Sequence, residues 1–441
     1  MHRSLWMRRV AAATALALLA TACGNGDDGE PTTDDDVAAP ADDDADVDDD
    51  DADVDDDGEE IDRPERDDVL DIGYILPESG PLAFLGAPQT TAVRMAVDDI
   101  NAAGGVLGSD VTLATGDEAG DAAVARDTAA RLVNDGVDAI VGAAASGMSQ
   151  EFIQTLFDNQ IVQCSGSNTS PAFTDQDNNA FYFRTVPPDE AVAPIIANTV
   201  IGDGFTAPAV LARADDYGVA LMELVDAGLT EQGVEPVLVE TYDTETDDFD
   251  SLVSQVTGAG ADTAVVIGFD EAGALFGSLI EAGFPAGSLY GGDGVFGPAL
   301  ADTVGTDISG LKVIGAAGGA DFNERLNEAM PDGEQGNVIY GGQVYDCVIV
   351  IALAAEAAQS ADPAVFNDEI ENVTKDGTEC SSFEECRDLL AAGEDIDYTG
   401  ASGPLDLVRP DPTFGRYAIG QFTADGLEII GSEDVDLADL G

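Results

Sequence analysis

Hydroxyl-bearing loops at the starts of helical segments are where this sequence gathers residues able to do chemistry. Pro77-Glu78-Ser79-Gly80 follows the first apolar run, and Ser146 to Ser149 follow Ile140-Val141-Gly142. Ser165-Gly166-Ser167-Asn168-Thr169-Ser170-Pro171 follows a further apolar run. Hydroxyls and backbone N–H groups collected at helix starts make an uncharged seat for a carboxylate, reinforced by the helix dipoles. A single serine of this kind more often caps its own helix or closes a turn. Three such loops on adjacent strands favour a shared binding role. Asp293, set among glycines, reads either as a turn aspartate or as an acid that meets a positive ligand group. Gly292-x-Gly294-x-x-Gly297 also fits a dinucleotide fingerprint, but Pro298 follows at once and no Gly-Lys-Ser/Thr phosphate loop exists. Nucleotide binding is not expected.

Catalysis is disfavoured by what is missing. His2 is the sole histidine, and it lies in a leader expected to be removed. A chain without imidazole has no Ser-His-Asp or Cys-His machinery and no histidine-containing zinc site. The expectation is a binding protein that is not an enzyme and needs no cofactor or metal. Acidic residues outnumber basic ones by 88 to 16, for a net charge of -72, and Lys312 and Lys375 are the only lysines. Such a surface repels nucleic acid and is expected to gain stability from screening salt.

The elements that must position these loops begin after a long approach. Arg3, Arg8 and Arg9 precede an apolar run from Val10 to Ala20, the plan of a signal peptide. The run ends in Leu19-Ala20-Thr21-Ala22-Cys23-Gly24, which resembles the lipobox of bacterial lipoproteins with Cys23 as the acylated first mature residue. Ordinary cleavage that leaves a free thiol is the alternative. Residues 23–68 are dominated by Asp and read as a disordered spacer. Asp53, Asp55, Asp57 and Gly58 start like a calcium loop, but Pro64 stands where a bidentate Glu belongs.

From Val69 onward, short apolar runs alternate with amphipathic segments of helical period. Val69–Leu76, Val111–Ala114, Val137–Val141, Ala209–Leu211 and Ala264–Ile267 read as strands, and Ala87–Ala103 as a helix stopped by Gly104-Gly105. Repeated βα units imply an α/β fold with parallel sheets covered on both faces. Pro187-Pro188 interrupts the alternation, and a second break follows Val313, so two lobes are expected. The expected division is a signal peptide (1–22), the acidic linker (23–68), lobe I (69–187 and 314–402) and lobe II (188–313 and 403–441), with a cleft lined by loops at strand carboxyl ends. Among the other cysteines, Cys380 and Cys386 bracket a short loop and are expected to pair. Cys164 and Cys347 either pair or stay as two buried thiols.

The ordered set of motifs resembles the leucine/isoleucine/valine-binding proteins, extracellular solute receptors of ABC importers with a type I periplasmic-binding fold. It runs through Pro77-x-Ser79-Gly80, Asp99-Ile100-Asn101-Ala102-x-Gly104-Gly105, Phe183-Arg184-Thr185, Asp216-Tyr217-Gly218, Gly292-Asp293-Gly294 and Tyr398-x-Gly400-x-Ser402-Gly403. The resemblance implies two Rossmann-like lobes joined by a three-crossing hinge. It implies that Ser146 holds a ligand carboxylate and that Ser167 and Thr169 touch carboxylate and ammonium. It further implies that Tyr217 closes on the ligand from the second lobe and that Asp293 pairs with the ammonium. Phe269 falls near an aromatic contact, and Leu85 where an aromatic often covers the side-chain pocket. The implied cargo is a branched-chain or similar amino acid, the partners an ABC permease and the membrane through the lipid, and the location the outer face of a bacterial membrane. A sensor on the same fold, and a urea or short-amide receptor, are the alternatives.

Overall fold

Runs of Val, Ile, Leu and Ala become short strands buried on both faces, as a parallel sheet clad in helices requires. The computed structural model describes residues 67–174 and 176–437. The leader, Cys23, the calcium-loop-like start and all but the end of the acidic segment lie outside the described residues. Strands β1 (Asp71–Ile75), β2 (Thr112–Ala114), β3 (Ala139–Gly142), β4 (Val162–Ser165) and β5 (Tyr182–Arg184) form a sheet in the order β2-β1-β3-β4-β5, parallel throughout. A second parallel set follows, with β6 (Pro208–Arg213), β7 (Leu238–Tyr242), β8 (Thr263–Ile267), β9 (Leu289–Gly291) and β10 (Lys312–Ala316).

The chain then returns to the first lobe. Helix Gly341–Ala358 is long and apolar enough to cross a membrane, yet it is mostly buried and packs beside helix Gly86–Ala103 in the first core. A small sheet of β11 (Thr378–Cys380), β12 (Ile396–Gly400) and β13 (Gly403–Pro404) completes that lobe. Finally β14 (Phe414–Thr423) and β15 (Gly426–Asp436) add an antiparallel hairpin to the second sheet, whose order is β15-β14-β10-β9-β8-β6-β7. The parallel βα reading did not foresee this hairpin. Its alternating burial along β14 is the mark of a strand with one covered face.

Local rules account for the helix ends. Asp121 caps helix Ala122–Asp135 by accepting from the N–H groups of Ala123 (2.8 Å) and Val124 (3.1 Å). Helix Gly86–Ala103 ends on Gly104 at φ 114°, a conformation that a side chain would strain.

Two of the recognised motifs prove to be braces. The carboxylate of Asp346 accepts from the Tyr398 hydroxyl (2.8 Å), Ala401 N–H (2.7 Å), Ser402 N–H (2.8 Å) and Ser402 hydroxyl (2.5 Å). A Cβ on Gly400 would run into that same carboxylate, which explains the spacing Tyr-x-Gly-x-Ser. Arg184, fully buried, donates to the carbonyls of Asn168 and Ser170 (2.9 Å each) and to Asp411 (2.6 Å), so it ties the serine loop to the last crossing. Cys380 and Cys386 are paired across their loop, with Cα atoms 5.3 Å apart. Cys164 and Cys347, left open by the sequence, also pair, joining β4 to the long helix with Cα atoms 5.7 Å apart.

Candidate functional site

The first wall of the site is built from the ends of β3 and β4. After β3 the chain turns sharply, and Glu118, wholly buried, receives the N–H groups of Ala144 (2.6 Å) and Ala145 (3.3 Å). Ser149 receives that of Ala143 (2.9 Å). These anchors fix the turn so that Ser146 opens helix Ser146–Gln150, its hydroxyl oxygen accepting from Ser170 N–H at 3.4 Å. Burial pushes the Glu118 carboxyl up to about 8, against the lowering effect of those two N–H groups.

The loop after β4 is braced from within. Ser165 accepts from the N–H groups of Ser167 (3.2 Å) and Asn168 (3.0 Å), and the Asn168 amide donates to the carbonyls of Ala143 and Ala144. Ser167 and Thr169 are thereby held beside Ser146. Ser165 and Asn168 spend their side chains on this bracing, which is the ordinary structural fate of a loop hydroxyl or amide.

The second wall comes from the other lobe. Asp215 caps helix Asp216–Glu231, receiving Gly218 N–H at 2.9 Å, and this sets Tyr217 at the helix start. The Tyr217 hydroxyl donates to Asp293 Oδ1 at 2.5 Å, and its ring stacks on Phe269 with centroids 5.3 Å apart and planes 13° from parallel. The Tyr340 hydroxyl donates to the other Asp293 oxygen, and Gly294 N–H donates to Oδ1 at 2.9 Å. Burial raises the Asp293 carboxyl, while Tyr217 and Tyr340 pull it back. Gly294 must lack a side chain, because a Cβ would meet the Phe269 ring and the Gly268 carbonyl. The glycines of the nucleotide-like motif therefore serve close packing.

Ser146, Ser167, Thr169, Tyr217, Asp293 and Phe269 all line one cavity, together with Leu82, Leu85, Ala144, Ala145, Gly294 and Tyr340. The cavity has a volume of about 20 Å³, room for a single water. Hydroxyl-bearing residues line it from one lobe, an acid and aromatic rings from the other, and leucines complete the lining. That arrangement has the chemistry to face a small zwitterion with an apolar side chain, for which the walls must first move apart. It offers no nucleophile–base pair and, among the described residues, no cluster able to hold a metal.

Two further residues escaped the sequence reading. Tyr340 sits at φ 63° immediately before Gly341-Gly342, and a bulky residue there was the available signal. Asp189 follows Pro187-Pro188 and opens helix Asp189–Gly202, with its N–H on the Thr169 carbonyl at 2.8 Å. Its carboxylate is fully buried without a hydrogen-bond partner; the Thr169 hydroxyl lies near it but outside bonding geometry. Burial first, and the Asp293 charge second, hold that carboxyl well above the usual range.

A family model for periplasmic binding proteins matches residues 69–411. Leu/Ile/Val-binding protein homolog 1 of Brucella abortus is 29% identical over 303 residues, which cover 67% of this chain and 80% of that protein. The substrate-binding protein of a chemotactic signal transduction system in Halobacterium salinarum is 28% identical over 375 residues, 81% of this chain and 88% of that one. The crystal structure of a leucine-binding protein from Thermotoga maritima superposes with a TM-score of 0.70 at 21% identity, covering 84% of this chain and all of that one.

Proposed function

The chain belongs to the leucine/isoleucine/valine-binding group of periplasmic binding proteins, and from that premise we propose that it captures a small α-amino acid between its lobes and delivers it to an ABC permease. The observation that carries the reading is the single cavity in which Ser146, Ser167 and Thr169 of one lobe face Tyr217 and Asp293 of the other. The ligand carboxylate sits on the hydroxyls of Ser146, Ser167 and Thr169 after β3 and β4. The ammonium meets Asp293, and the side chain lies against Leu82, Leu85 and Phe269. Loading requires the lobes to part, with bending shared by the three crossings near residues 185–188, 317–319 and 405–413. Lobe I is then 69–187 with 314–402, and lobe II the remainder from 188.

Closure excludes water, which strengthens each charge contact. The family's extracytoplasmic station fits the leader, and acylation of Cys23 tethers the receptor at the membrane. Mass spectrometry of the mature N-terminus checks that tether, since an unmodified Cys23 would remove it. Binding is tested by calorimetry with a panel of α-amino acids, the matching amides, and urea. One-site binding that requires both carboxylate and ammonium supports the proposal, and binding of urea or amides alone sinks it. Consumption of the ligand would sink the non-enzymatic reading.

The Halobacterium relative's place in a chemotactic system supports a second reading, in which the same closure signals to a receptor. Crosslinking of the loaded protein in its native membrane separates the two by whether a permease or a signalling receptor is captured.

A further inference from the structure

Phe269, only 7% exposed, belongs to two chambers at once. One is the cavity already described. The other, also about 20 Å³, is lined by Phe84, Val295 and Leu300 together with the polar Asp270 and Thr303. Phe269 and Gly294 are the residues common to both linings, and a Cβ on Gly294 would collide with the ring. The ring therefore stands between the two recesses, its faces covered by Tyr217 and Arg213.

The ring is fixed from two directions. The Arg213 guanidinium carbon lies 3.6 Å from the centre of the Phe269 ring, close enough for a substantial cation–π attraction at a site this dry. Arg213 is in turn held by Asp215 (2.5 Å) and Glu271 (2.8 Å). The same Glu271 oxygen receives the backbone N–H of Phe269 at 3.1 Å. One carboxylate thus fixes both the backbone of Phe269 and the cation against its ring.

We propose that Phe269 is a partition that limits the length of the ligand side chain, and that Arg213 and Glu271 are the positioning residues that keep it in place. This rests on the amino-acid reading above. The ligand class it assigns to the native protein is an α-amino acid with a short or branched apolar side chain. Opening the partition joins the chambers and admits longer apolar or aromatic side chains.

The test measures affinities for alanine, valine, leucine, norleucine and phenylalanine with the native protein, Phe269→Ala, Phe269→Leu, Arg213→Met and Arg213→Lys. The ratio of phenylalanine to valine affinity is expected to rise by ~10-fold or more in Phe269→Ala, the scale of a few methylenes gained in an apolar pocket. Phe269→Leu and Arg213→Met should move the same ratio by a smaller factor, and Arg213→Lys, which keeps the cation, should return it toward the native value. Phe269→Leu shortens the partition but still fills part of the core, and it answers the question if the alanine variant does not fold. A native ranking by chain length retained in Phe269→Leu and Arg213→Met overturns the partition. Failure of the native protein to bind any of the five overturns the amino-acid reading, and the partition falls with it.

Discussion

Asp189 and Asp293 place two fully buried carboxyl groups within electrostatic reach of one another, and among the described residues neither forms an ion pair. Arg184 offsets Asp189 only in part, because its guanidinium is committed to Asp411. Tyr217 and Tyr340 donate to Asp293, and the buried Tyr417 hydroxyl has no partner. On the proposed reading, a ligand ammonium supplies the positive charge that this cluster lacks.

Affinity should therefore rise with pH. Both carboxyls are held above their ordinary range, so at acidic pH they stay protonated and cannot receive an ammonium. Binding at mildly acidic pH should release protons. The sign for the unliganded fold is the opposite. A raised carboxyl means the folded state holds more protons, so its contribution to stability is greatest below the unfolded value and is lost as pH climbs through the folded one. Calorimetry in buffers of different ionisation enthalpy reads the proton count directly. An affinity unchanged between about pH 5 and 8, with no proton release, would remove Asp189 and Asp293 from the ammonium site.

Asp293→Asn should weaken amino-acid binding by roughly 10- to 100-fold, the scale of one charge-assisted hydrogen bond. The amide still fits the space, and its oxygen can accept from only one side, so one of the two tyrosine hydroxyls also loses its partner. Thermal unfolding of the unliganded variant should show little loss, because a buried unpaired charge goes with the mutation. Unchanged affinity would show that the ammonium is held elsewhere.

How much of this could be read beforehand depended on range in sequence. The loops that carry Ser146, Ser167 and Thr169 were legible as hydroxyl-rich segments after βα strands, but the choice of those residues needed the family likeness. Ser79 of the first such loop bonds Asp117 instead of lining the cavity. Tyr217 and Asp293 needed the family likeness, since their bond joins positions 76 residues apart. Tyr340 and Asp189 stayed hidden for a different reason. An aromatic residue before an apolar helix reads as core, and an acid in the first turn of a helix reads as a favourable charge for its dipole. Their roles appear only when the second lobe folds against the first. The β14–β15 hairpin was missed because the preceding βα rhythm gave no cue to an antiparallel return.

The two disulfides should differ in worth. Cys380–Cys386 closes a span of 6 residues and Cys164–Cys347 one of 183. On chain entropy alone the first contributes roughly 2 kcal/mol and the second roughly 5 kcal/mol. Paired Cys→Ala variants, unfolded in urea, should rank in that order. The longer link also ties β4, which leads into the serine loop, to the helix that follows Tyr340. Its removal should lower ligand affinity as well as stability, whereas removal of the shorter link should lower stability alone. Equal losses from both variants would mean that native packing, and not the closed span, decides their value.

Glu118 tests whether the carboxylate seat is preformed. It lies behind the cavity wall and touches no cavity space, but both its oxygens hold the turn that presents Ser146. Glu118→Ala would leave the buried N–H groups of Ala144 and Ala145 without acceptors, a loss of about 1–3 kcal/mol for each. Glu118→Gln keeps an acceptor for the shorter bond at 2.6 Å and loses the longer one, so its affinity should fall only a few-fold. The two variants should separate further in their pH response. The native carboxyl is raised from 4.5 to about 8, so its stabilising share is present below about pH 4.5 and drains away up to about pH 8. The glutamine variant carries no proton to lose and should flatten that part of the stability profile, measured by urea unfolding at several pH values. If the native and Glu118→Gln profiles run parallel, the carboxyl is ionised throughout. Two N–H groups would then suffice to hold a buried charge against its desolvation, which burial of this depth argues against.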